Sequence, residues 1–378
     1  MSDAARETRF ETTEMLDGIR RWVEIESPTT SPDGVNRMMD AVEKAYDGTG
    51  ARMERIPGRD GFGDHLIARS PWGQSERGIL VLSHLDTVHP IGFINRLPFK
   101  VDGDIAYGPG IYDMKGGAYI AFHAFRELTR TGRRAPLPIT HLYVSDEEVG
   151  SPTSREIIEE EARKAKFVLV TEPAREGGKI VTARKGIARF TMTITGRPAH
   201  SGARHEDGRS AVKELARQIL TLEGFTDYQR GVTVNVGVVS GGSRANVVPE
   251  EAYAEIDMRV PTQAAAEEMV AKVLGLKAHE EGVNVFVTGG LNRPSYEKDE
   301  RVASLFEHAK ALAAQIGFEL KDLKTGGGSD GNFTAPIAPT LDGLGVDGKG
   351  GHTDYEQLYV SSIAPRSRLL YELFVTLE

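Results

Sequence analysis

Chemically active side chains follow directly after runs of apolar residues at several points of the chain. These side chains belong to His84-Leu85-Asp86, Asp146-Glu147-Glu148 and Glu172. A further acidic residue, Asp113, stands just before a helical pattern that begins at Gly116. Carboxylates that crowd together repel one another and raise each other's pKa unless a cation holds them. Histidine and carboxylate groups at one place are therefore candidate ligands of a divalent metal ion.

The apolar runs before these side chains predict strands of one buried sheet. The runs are Gly78 to Ser83, Ile139 to Ser145 and Phe167 to Thr171, and their lengths fit strands that are covered on both faces. Helical patterns at Gly116 to Leu128 and Ser154 to Ala165 separate them. Alternating strands and helices predict an α/β sheet, and such sheets bind ligands at the carboxyl ends of their strands. We therefore expect the acidic groups and the histidine at one edge of the sheet.

Each of these residues also has a plain structural interpretation. His84 taken alone would be an ordinary half-buried histidine, and Asp113 taken alone would be an N-cap. The acidic segment Asp146 to Glu148 taken alone would be a solvated turn. Their common location at one predicted edge favours a metal site over the three separate interpretations.

Residues in the middle of the chain alternate between apolar and polar, which predicts half-buried antiparallel strands. Strands are expected from Phe190, Val232, Ala254 and Val283, with helices at Ser210 to Leu222 and Gln263 to His279. The resulting order βαββαβ is the ferredoxin-like motif. We predict an α/β domain formed by residues 1–185 and 293–378, with residues 186–292 inserted as a second domain. The last part should contain a helix at Arg301 to Ile316, a strand near Thr340 and a C-terminal helix from about Ser362.

Composition excludes several classes of protein. The 378 residues contain no Cys, so disulfide scaffolds, thiol nucleophiles and Cys-based zinc sites are excluded. The 46 Lys and Arg against 55 Asp and Glu give a net charge of −9, which argues against nucleic acid as a partner. The sequence has no apolar run of about 18 residues and no secretory signal pattern, so we expect a cytoplasmic protein without a membrane partner.

Short motifs along the chain carry a resemblance to a known family. They are Ser-His-Leu-Asp-Thr-Val, Gly-Pro-Gly-Ile-Tyr-Asp-Met-Lys-Gly-Gly, Ser-Asp-Glu-Glu-Val-Gly-Ser, Val-Thr-Glu-Pro, Pro-Ala-His-Ser-Gly, Gly-Gly-Gly-Ser-Asp and Gly-Gly-His-Thr. With them the sequence resembles the co-catalytic metallopeptidases that include bacterial glutamate carboxypeptidase, aminoacylase-1, acetylornithine deacetylase and succinyl-diaminopimelate desuccinylase. The resemblance covers nearly the whole chain and is greatest for the glutamate carboxypeptidase branch.

The resemblance implies a site for two divalent metal ions. One ion would be bound by His84 and Glu172, the other by Glu148 and His352, and both by Asp113. Asp86 would support His84, Glu147 would be the general base, and the peptide bond Asp113-Met114 would be cis. Zinc is the default metal for such a site, and carboxylate-rich sites also accept cobalt or manganese.

The resemblance further implies a zinc-peptidase-like α/β catalytic domain and a homodimer formed through the inserted ferredoxin-like lid domain. His200 would reach the partner's site and stabilise the oxyanion, with a histidine in a loop turn as the alternative. Asn246 and Arg259 would bind the substrate carboxylate. For Arg259 a surface ion pair with Asp257 or Glu255 is the alternative. Further candidates for substrate contacts are Arg293, Gly327, Gly328 and Ser329.

The implied activity is hydrolysis of the amide bond of an N-acyl amino acid or small peptide with a free C-terminal carboxylate. Metal-activated water would attack the carbonyl, while Glu147 would take the proton of that water and pass it to the leaving nitrogen. One alternative is a different C–N bond, as in a desuccinylase, a deacetylase or an aromatic amide hydrolase. Another is a non-catalytic homologue that binds a peptide or metabolite, against which the intact ligand set and base argue.

Overall fold

The computed structural model of the protein describes residues 8–73 and 76–378. The helices in this part are α1 (Thr12–Val23), α2 (Pro32–Ala45), α3 (Gly116–Arg130), α4 (Arg155–Arg163), α5 (Ala211–Glu223), α6 (Gln263–Leu274), α7 (Glu300–Ile316), α8 (Gly331–Thr334) and α9 (Val360–Thr376). The strands are β1 (Arg52–Ile56), β2 (His65–Arg69), β3 (Gly78–His84), β4 (Lys100–Asp102), β5 (Ile105–Tyr107), β6 (Ile139–Val144), β7 (Ala165–Val170), β8 (Ile180–Arg184), β9 (Gly186–Thr195), β10 (Thr233–Gly241), β11 (Glu251–Val260), β12 (Asn284–Arg293), β13 (Asp322–Thr325), β14 (Thr340–Leu341), β15 (Gly348–Lys349) and β16 (Gln357–Tyr359).

The chain divides into two compact units. Unit 1 contains the described residues up to Thr182 together with Lys298–Lys324 and Ser329–Glu378. Unit 2 contains Ala183–Glu297 and Thr325–Gly328. The domain limits at residues 186 and 292 stay a prediction from the sequence.

Unit 1 is built on a six-stranded sheet with the strand order β1-β2-β6-β3-β7-β14. Strand β3 runs parallel to both β6 and β7, and β14 runs parallel to β7. Strands β2 and β1 extend the other side of the sheet in antiparallel pairing. The α/β architecture predicted from the apolar runs is confirmed, and the carboxyl ends of β3, β6 and β7 meet at one edge.

Strand β3 explains why an unbroken apolar run marks the centre of this sheet. Successive side chains of a strand point to opposite faces. Ile79 and Val81 pack into the core that holds residues of α1, α2, α3 and α9, whereas Leu80 and Leu82 pack into the core beneath α4 and α8. Each such buried aliphatic side chain stabilises the fold by about 1.5–3 kcal/mol. Both faces of the strand are covered, so polar residues appear only at its end.

A small four-stranded sheet with the order β15-β16-β5-β4 also belongs to unit 1. Its pairing of β16 with β5 matters for the site, because the loop that follows β5 carries Asp113 and the loop that precedes β16 carries His352. Across residues 8–73 and 76–378, no helix is long and apolar enough to cross a membrane.

Unit 2 contains the antiparallel sheet β10-β11-β9-β12. Helices α5 and α6 follow β9 and β11 in the chain, so the order is βαββαβ. Met192, Ile256 and Met258 of the sheet pack into a core with residues of both helices. The ferredoxin-like fold of the inserted segment is confirmed.

Several elements differ from the sequence prediction. Helix α6 ends at Leu274, although the pattern predicts a helix as far as His279. Gly275 stands at the C-cap of the helix, and beyond it the backbone N–H and the Nδ1 atom of His279 both bond to Oε1 of Glu214. Helix α9 begins at Val360, slightly before the expected Ser362. The helices α1 and α2 and the strands β1 and β2, which precede residue 78, are not predicted from the sequence.

Candidate active site

The carboxyl edge of the six-stranded sheet carries the side chains that the sequence singles out. His84 is the last residue of β3 and is 1% exposed, and Asp86 follows it fully buried. Glu147 and Glu148 form a short 3-10 turn after β6. Glu172 follows β7 by two residues and is also buried. Parallel pairing of the three strands brings these groups to one place, as expected.

Two loops complete the cluster. Asp113 lies just before α3, whose second residue is Gly117. A Cβ atom at Gly117 would lie 2.0 Å from the carbonyl oxygen of Thr171, so glycine allows α3 to begin directly against the end of β7. His352 lies between β15 and β16 with a φ of 67°, a backbone conformation that non-glycine residues seldom adopt. The peptide bond Asp113-Met114 is cis, as the family resemblance implies.

Five side chains form two groups of potential metal ligands, and the two groups share the carboxylate of Asp113. The first group is His84, Asp113 and Glu172, and the second is Asp113, Glu148 and His352. The ligand atoms within each group lie within 4.8 Å of one another. Oδ1 of Asp113 is 3.3 Å from Nε2 of His84, and Oδ2 is 3.4 Å from Nε2 of His352. Asp113 thus presents one oxygen to each group.

The remaining distances close the two groups. Nε2 of His84 lies 3.7 Å from Oε1 of Glu172, and Nε2 of His352 lies 3.1 Å from Oε2 of Glu148. The other oxygen of Glu148, Oε1, is buried and has no hydrogen-bond partner within the described part of the chain. A buried carboxylate oxygen without a partner is costly, and a bound cation would satisfy it. The donor set therefore fits two divalent cations.

The electrostatics of the cluster also favour added positive charge. Burial lowers the pKa of His84, but contacts with Asp113 and Asp86 and the charge of Glu147 raise this pKa well above its ordinary value. Hydrogen bonds to Asp113 and Glu148 raise the pKa of His352 to about 11. Burial raises the pKa of Glu148. In the absence of metal, protons on the two histidines offset the negative charge of the carboxylates. Bound metal ions would displace these protons and supply the positive charge instead.

Asp86 organises both a ligand and the acidic turn. Its backbone oxygen lies 3.0 Å and its Oδ1 atom 3.4 Å from Nδ1 of His84. The carboxylate accepts the backbone N–H groups of Glu147 and Glu148, each at 3.2 Å, and the hydroxyl of Thr29 at 2.7 Å. Such contacts orient a metal-binding imidazole. The sequence predicts that Asp86 supports His84, but it does not predict the hydrogen bonds between Asp86 and the Glu147–Glu148 turn.

The two adjacent glutamates have different surroundings. Glu148 contacts His352 and belongs to the second ligand group. Glu147, within the described residues, belongs to neither group, while its charge acts on His84. This division agrees with separate roles for the two residues, which stay predictions.

His200 and Asn246 lie together in unit 2. The backbone oxygen of Asn246 accepts the N–H of Ser201 at 3.1 Å. The backbones of His200 and Val247 pair in an isolated antiparallel β-bridge. Nδ1 of the exposed His200 ring accepts the N–H groups of Gly202 and Ala203 at 3.1 and 3.2 Å. The ring proton is then on Nε2, which can donate a hydrogen bond.

Arg259 forms an ion pair with Asp257, which the sequence analysis names as the alternative to binding the substrate carboxylate. Its Nε atom is 2.7 Å from Oδ1 of Asp257, and a terminal nitrogen is 3.1 Å from Oδ2. The side chain is 28% exposed, so the pair does not close it off from solvent. A second terminal nitrogen lies 3.4 Å from the backbone oxygen of Gly326. Arg259 and the glycine loop are therefore neighbours in unit 2.

The other candidates for substrate contacts are more enclosed. Arg293 is 3% exposed, and a Cβ atom at Gly328 would lie 3.0 Å from its Cδ atom. The backbone oxygen of Gly327 accepts a hydrogen bond from Arg184 at 2.9 Å. Ser329 is buried in unit 1, where its hydroxyl donates to Asp342. The hydroxyl of Ser329 is thus engaged inside the protein.

Sequence reasoning does not find three residues at the site. Thr29 bonds to Asp86, a terminal nitrogen of Arg175 lies 3.7 Å from Oε2 of Glu172, and Glu356 accepts the backbone N–H of Asp113. For Glu356 a signal exists, because it stands four positions after His352. Thr29 has no such proximity in sequence to a predicted ligand.

Comparisons with known proteins identify the family of this chain. The profile of Peptidase family M20/M25/M40 matches residues 80–376. Carboxypeptidase G2 of Pseudomonas sp. (strain RS-16) is 31% identical over 372 residues, which cover 95% of this chain and 89% of that protein.

Solved structures share the fold. A tripeptidase from Staphylococcus aureus superposes with a TM-score of 0.82 at 20% identity, covering 96% of this chain and 98% of that one. An M20 family metallo-carboxypeptidase from Sulfolobus solfataricus gives a TM-score of 0.76 at 17% identity, covering 96% and 100%. Together with the profile match, these findings confirm the family that the motifs predict: the chain belongs to Peptidase family M20/M25/M40 and is a hydrolase of the metallopeptidase type.

Proposed function

We propose that this metallopeptidase hydrolyses the amide bond of an N-acyl amino acid or small peptide that ends in a free carboxylate. The observation that carries the proposal is the shared position of Asp113, which offers Oδ1 to His84 and Oδ2 to His352. Two ligand groups joined by one carboxylate suit a pair of cations that act on one substrate. The similarity to carboxypeptidase G2 of Pseudomonas supports the same substrate class.

The ligands would be His84, Asp113 and Glu172 for one ion and Asp113, Glu148 and His352 for the other. When bound, such ions lower the pKa of a water molecule and polarise the amide carbonyl. We take zinc as the metal, since histidine and carboxylate ligands suit it, with cobalt and manganese as the alternatives.

The residues of the chain would divide the remaining work. Glu147 accepts the proton of the attacking water and returns it to the leaving nitrogen, acting first as base and then as acid. Asp86 keeps His84 and the Glu147–Glu148 turn in position through its hydrogen bonds. Asn246 and Arg259 bind the substrate carboxylate, for which a guanidinium is well suited because it can form two parallel hydrogen bonds.

We also propose a homodimer formed through unit 2, in which His200 donates from Nε2 to the oxyanion in the partner's site. Strand β10 is an edge strand of its sheet, and Val238 and Val239 on it are 49% and 53% exposed. Leu220 on α5 is 77% exposed. Apolar side chains at a strand edge support an interface there, because an unprotected edge tends to pair with another chain.

The test is a hydrolysis screen over N-acyl amino acids and dipeptides, each offered as the free acid and as the C-terminal amide. We expect cleavage of free acids that a chelator abolishes and added zinc restores. Glu147→Gln protein serves as the matched control for contaminating activity. Release of succinate or acetate alone would favour a desuccinylase or deacetylase. Cleavage confined to anilides would favour an aromatic amide hydrolase. Tight binding of peptides without any turnover in the metal-loaded protein would contradict the proposal and favour a binding protein.

A further inference from the structure

We propose that Glu356 is a positioning residue that holds the loop of Asp113 and the loop of His352 in the arrangement that two cations require. The inference rests on the proposed function of the site but assigns a role to a residue outside both ligand groups. Glu356 is 1% exposed and lies directly before β16. Its role follows from which groups its carboxylate accepts and from where it stands in the chain.

The carboxylate of Glu356 is surrounded by hydrogen-bond donors from the loop that leads to Asp113. Oε1 accepts the backbone N–H groups of Tyr112 and Asp113, each at 2.9 Å. Oε2 accepts the backbone N–H of Gly110 at 3.0 Å and contacts Nε2 of His89 at 2.7 Å. An ionised carboxylate can only accept and has about four acceptor positions, so these donors fill it.

The chain around Glu356 links this loop to His352. Gln357, the first residue of β16, pairs with Tyr107, the last residue of β5. The N–H of Gly108 also contacts the backbone oxygen of Glu356 at 3.4 Å. The loop that carries Asp113 and the loop that carries His352 therefore diverge from one strand pair, and Glu356 lies at the point of divergence.

This position matters because Asp113 serves two groups at once. A small rotation of its backbone would move Oδ1 relative to His84 and Oδ2 relative to His352 together. Glu356 bonds to the N–H of Asp113 itself, so it restrains that rotation directly. Groups that orient metal ligands from outside the coordination shell typically change metal affinity by about 10–100-fold when they are lost.

A matched control exists in the same unit. Glu26 accepts the backbone N–H groups of Gly92 and Ile94 at 2.8 and 2.9 Å, so it is also a glutamate that holds a loop. Among the residues that the structure describes, Glu26 belongs to neither ligand group, and its two loop contacts join it to Gly92 and Ile94 rather than to a ligand. Glu26→Gln therefore reports the general cost of weakening such a loop contact.

The experiment compares Glu356→Gln with Glu26→Gln in the full-length protein. Glutamine keeps the size of the side chain but replaces one acceptor oxygen with a donor, which must face either the N–H groups of Tyr112 and Asp113 or the N–H of Gly110 and the ring of His89. The first measurement is cobalt affinity by competition with a chelator, and the second is the urea unfolding of the metal-free proteins. We expect Glu356→Gln to lose about 10–100-fold in cobalt affinity, with Glu26→Gln unchanged at comparable loss of stability. At saturating metal, kcat should fall for Glu356→Gln while KM changes little.

Equal cobalt affinity of the two variants would overturn the proposal, whatever their stabilities. If Glu356→Gln does not fold, Glu356→Asp replaces it, with Glu26→Asp as the control, since aspartate keeps the charge but its shorter side chain cannot reach every donor that Glu356 contacts. Reduced cobalt affinity of Glu356→Asp relative to Glu26→Asp would then support the positioning role, and equal affinity would overturn it. Failure of the proposed function looks different: the wild-type protein would bind cobalt tightly but hydrolyse no amide, and the comparison of affinities would still decide the role of Glu356.

Discussion

The backbone oxygen of Asp86 lies 3.0 Å from Nδ1 of His84, which requires a proton on Nδ1. The other ring nitrogen, Nε2, is then the atom that faces Asp113 and Glu172 and is available to a cation. The side chain of the same aspartate accepts the N–H groups of the Glu147–Glu148 turn. One residue thus fixes the orientation of a ligand and of the turn that carries the proposed base.

Glu147 and Glu148 should respond differently to the loss of their charge. Glu147→Gln should keep near-normal metal content and substrate binding while kcat falls by at least ~10²-fold, because the water loses its proton acceptor. Glu148→Gln should lose metal first, since Glu148 contacts His352 in the second ligand group. Added metal should restore part of its activity. Metal analysis and steady-state kinetics on both variants check this, and the reverse pattern would mean that the two roles are exchanged.

His200 should act across the dimer. We expect His200→Ala and Glu147→Ala homodimers each to be inactive, and their mixture to regain activity after subunit exchange. At equilibrium about a quarter of all sites would combine an intact Glu147 with the partner's intact His200, by the symmetry of a two-fold dimer. Native mass spectrometry verifies the exchange. Verified exchange without any activity would exclude a role for His200 in the partner's site.

Arg259 should recognise the carboxylate of the substrate. Arg259→Ala should weaken transition-state binding by roughly 2–4 kcal/mol, the scale for truncating one partner of a charge-assisted contact. It should also reduce the preference for free acids over their amides. Asp257→Asn is the matched control, because it removes the ion pair of Arg259 but keeps the guanidinium. If Arg259→Ala keeps the full preference for free acids, the ion pair with Asp257 is the whole role of this residue.

His123 should make the protein less stable in mild acid. It is fully buried in α3, and burial lowers its pKa to about 4. Arg126 and Arg130 act in the same direction, while Glu127 and Glu14 oppose it. In the unfolded chain a histidine binds its proton near pH 6.5. Between these values the unfolded state holds the extra proton, so stability is lost as the pH falls from 6.5 towards 4, by on the order of 3 kcal/mol in total.

His123→Leu removes this titration and the two ring nitrogens, which have no hydrogen-bond partner in the described residues. The free energy of unfolding in urea, measured at pH 7 and pH 5 for both proteins, isolates the contribution of His123. The wild type should lose more stability than the variant between the two values. An equal loss in both proteins would contradict the assigned pKa direction.

The sequence predicts the parts of this site whose position depends on local patterns. The run Gly78 to Ser83 is apolar because both faces of β3 are covered, and this places His84 at the strand end. Alternation in the middle of the chain identifies the strands of unit 2, because its sheet has a single buried face. Asp113 is identified by its place just before the helical pattern of α3, whereas His352 is supplied only by a family motif.

Other features depend on contacts between distant parts of the chain. Glu356 lies 243 positions from Asp113, and only the pairing of β5 with β16 brings them together. The segment that follows α6 is held by Glu214, which lies 65 positions from its partner His279. Helix α2 has local signals, with Ser31 as N-cap and Pro32 in the first turn, but it contains no unbroken apolar run.

The central claim is that the carboxylate of Asp113 joins two cation sites. The most direct measurement is the metal content of the wild-type protein and of Asp113→Ala after loading with zinc and desalting. The wild type should approach about two equivalents per chain, and the variant should retain close to none, because both ligand groups lose a member. Circular dichroism of the variant serves as the control for folding. A wild-type value that stays at zero, or a folded Asp113→Ala protein that still holds two equivalents, would contradict the account.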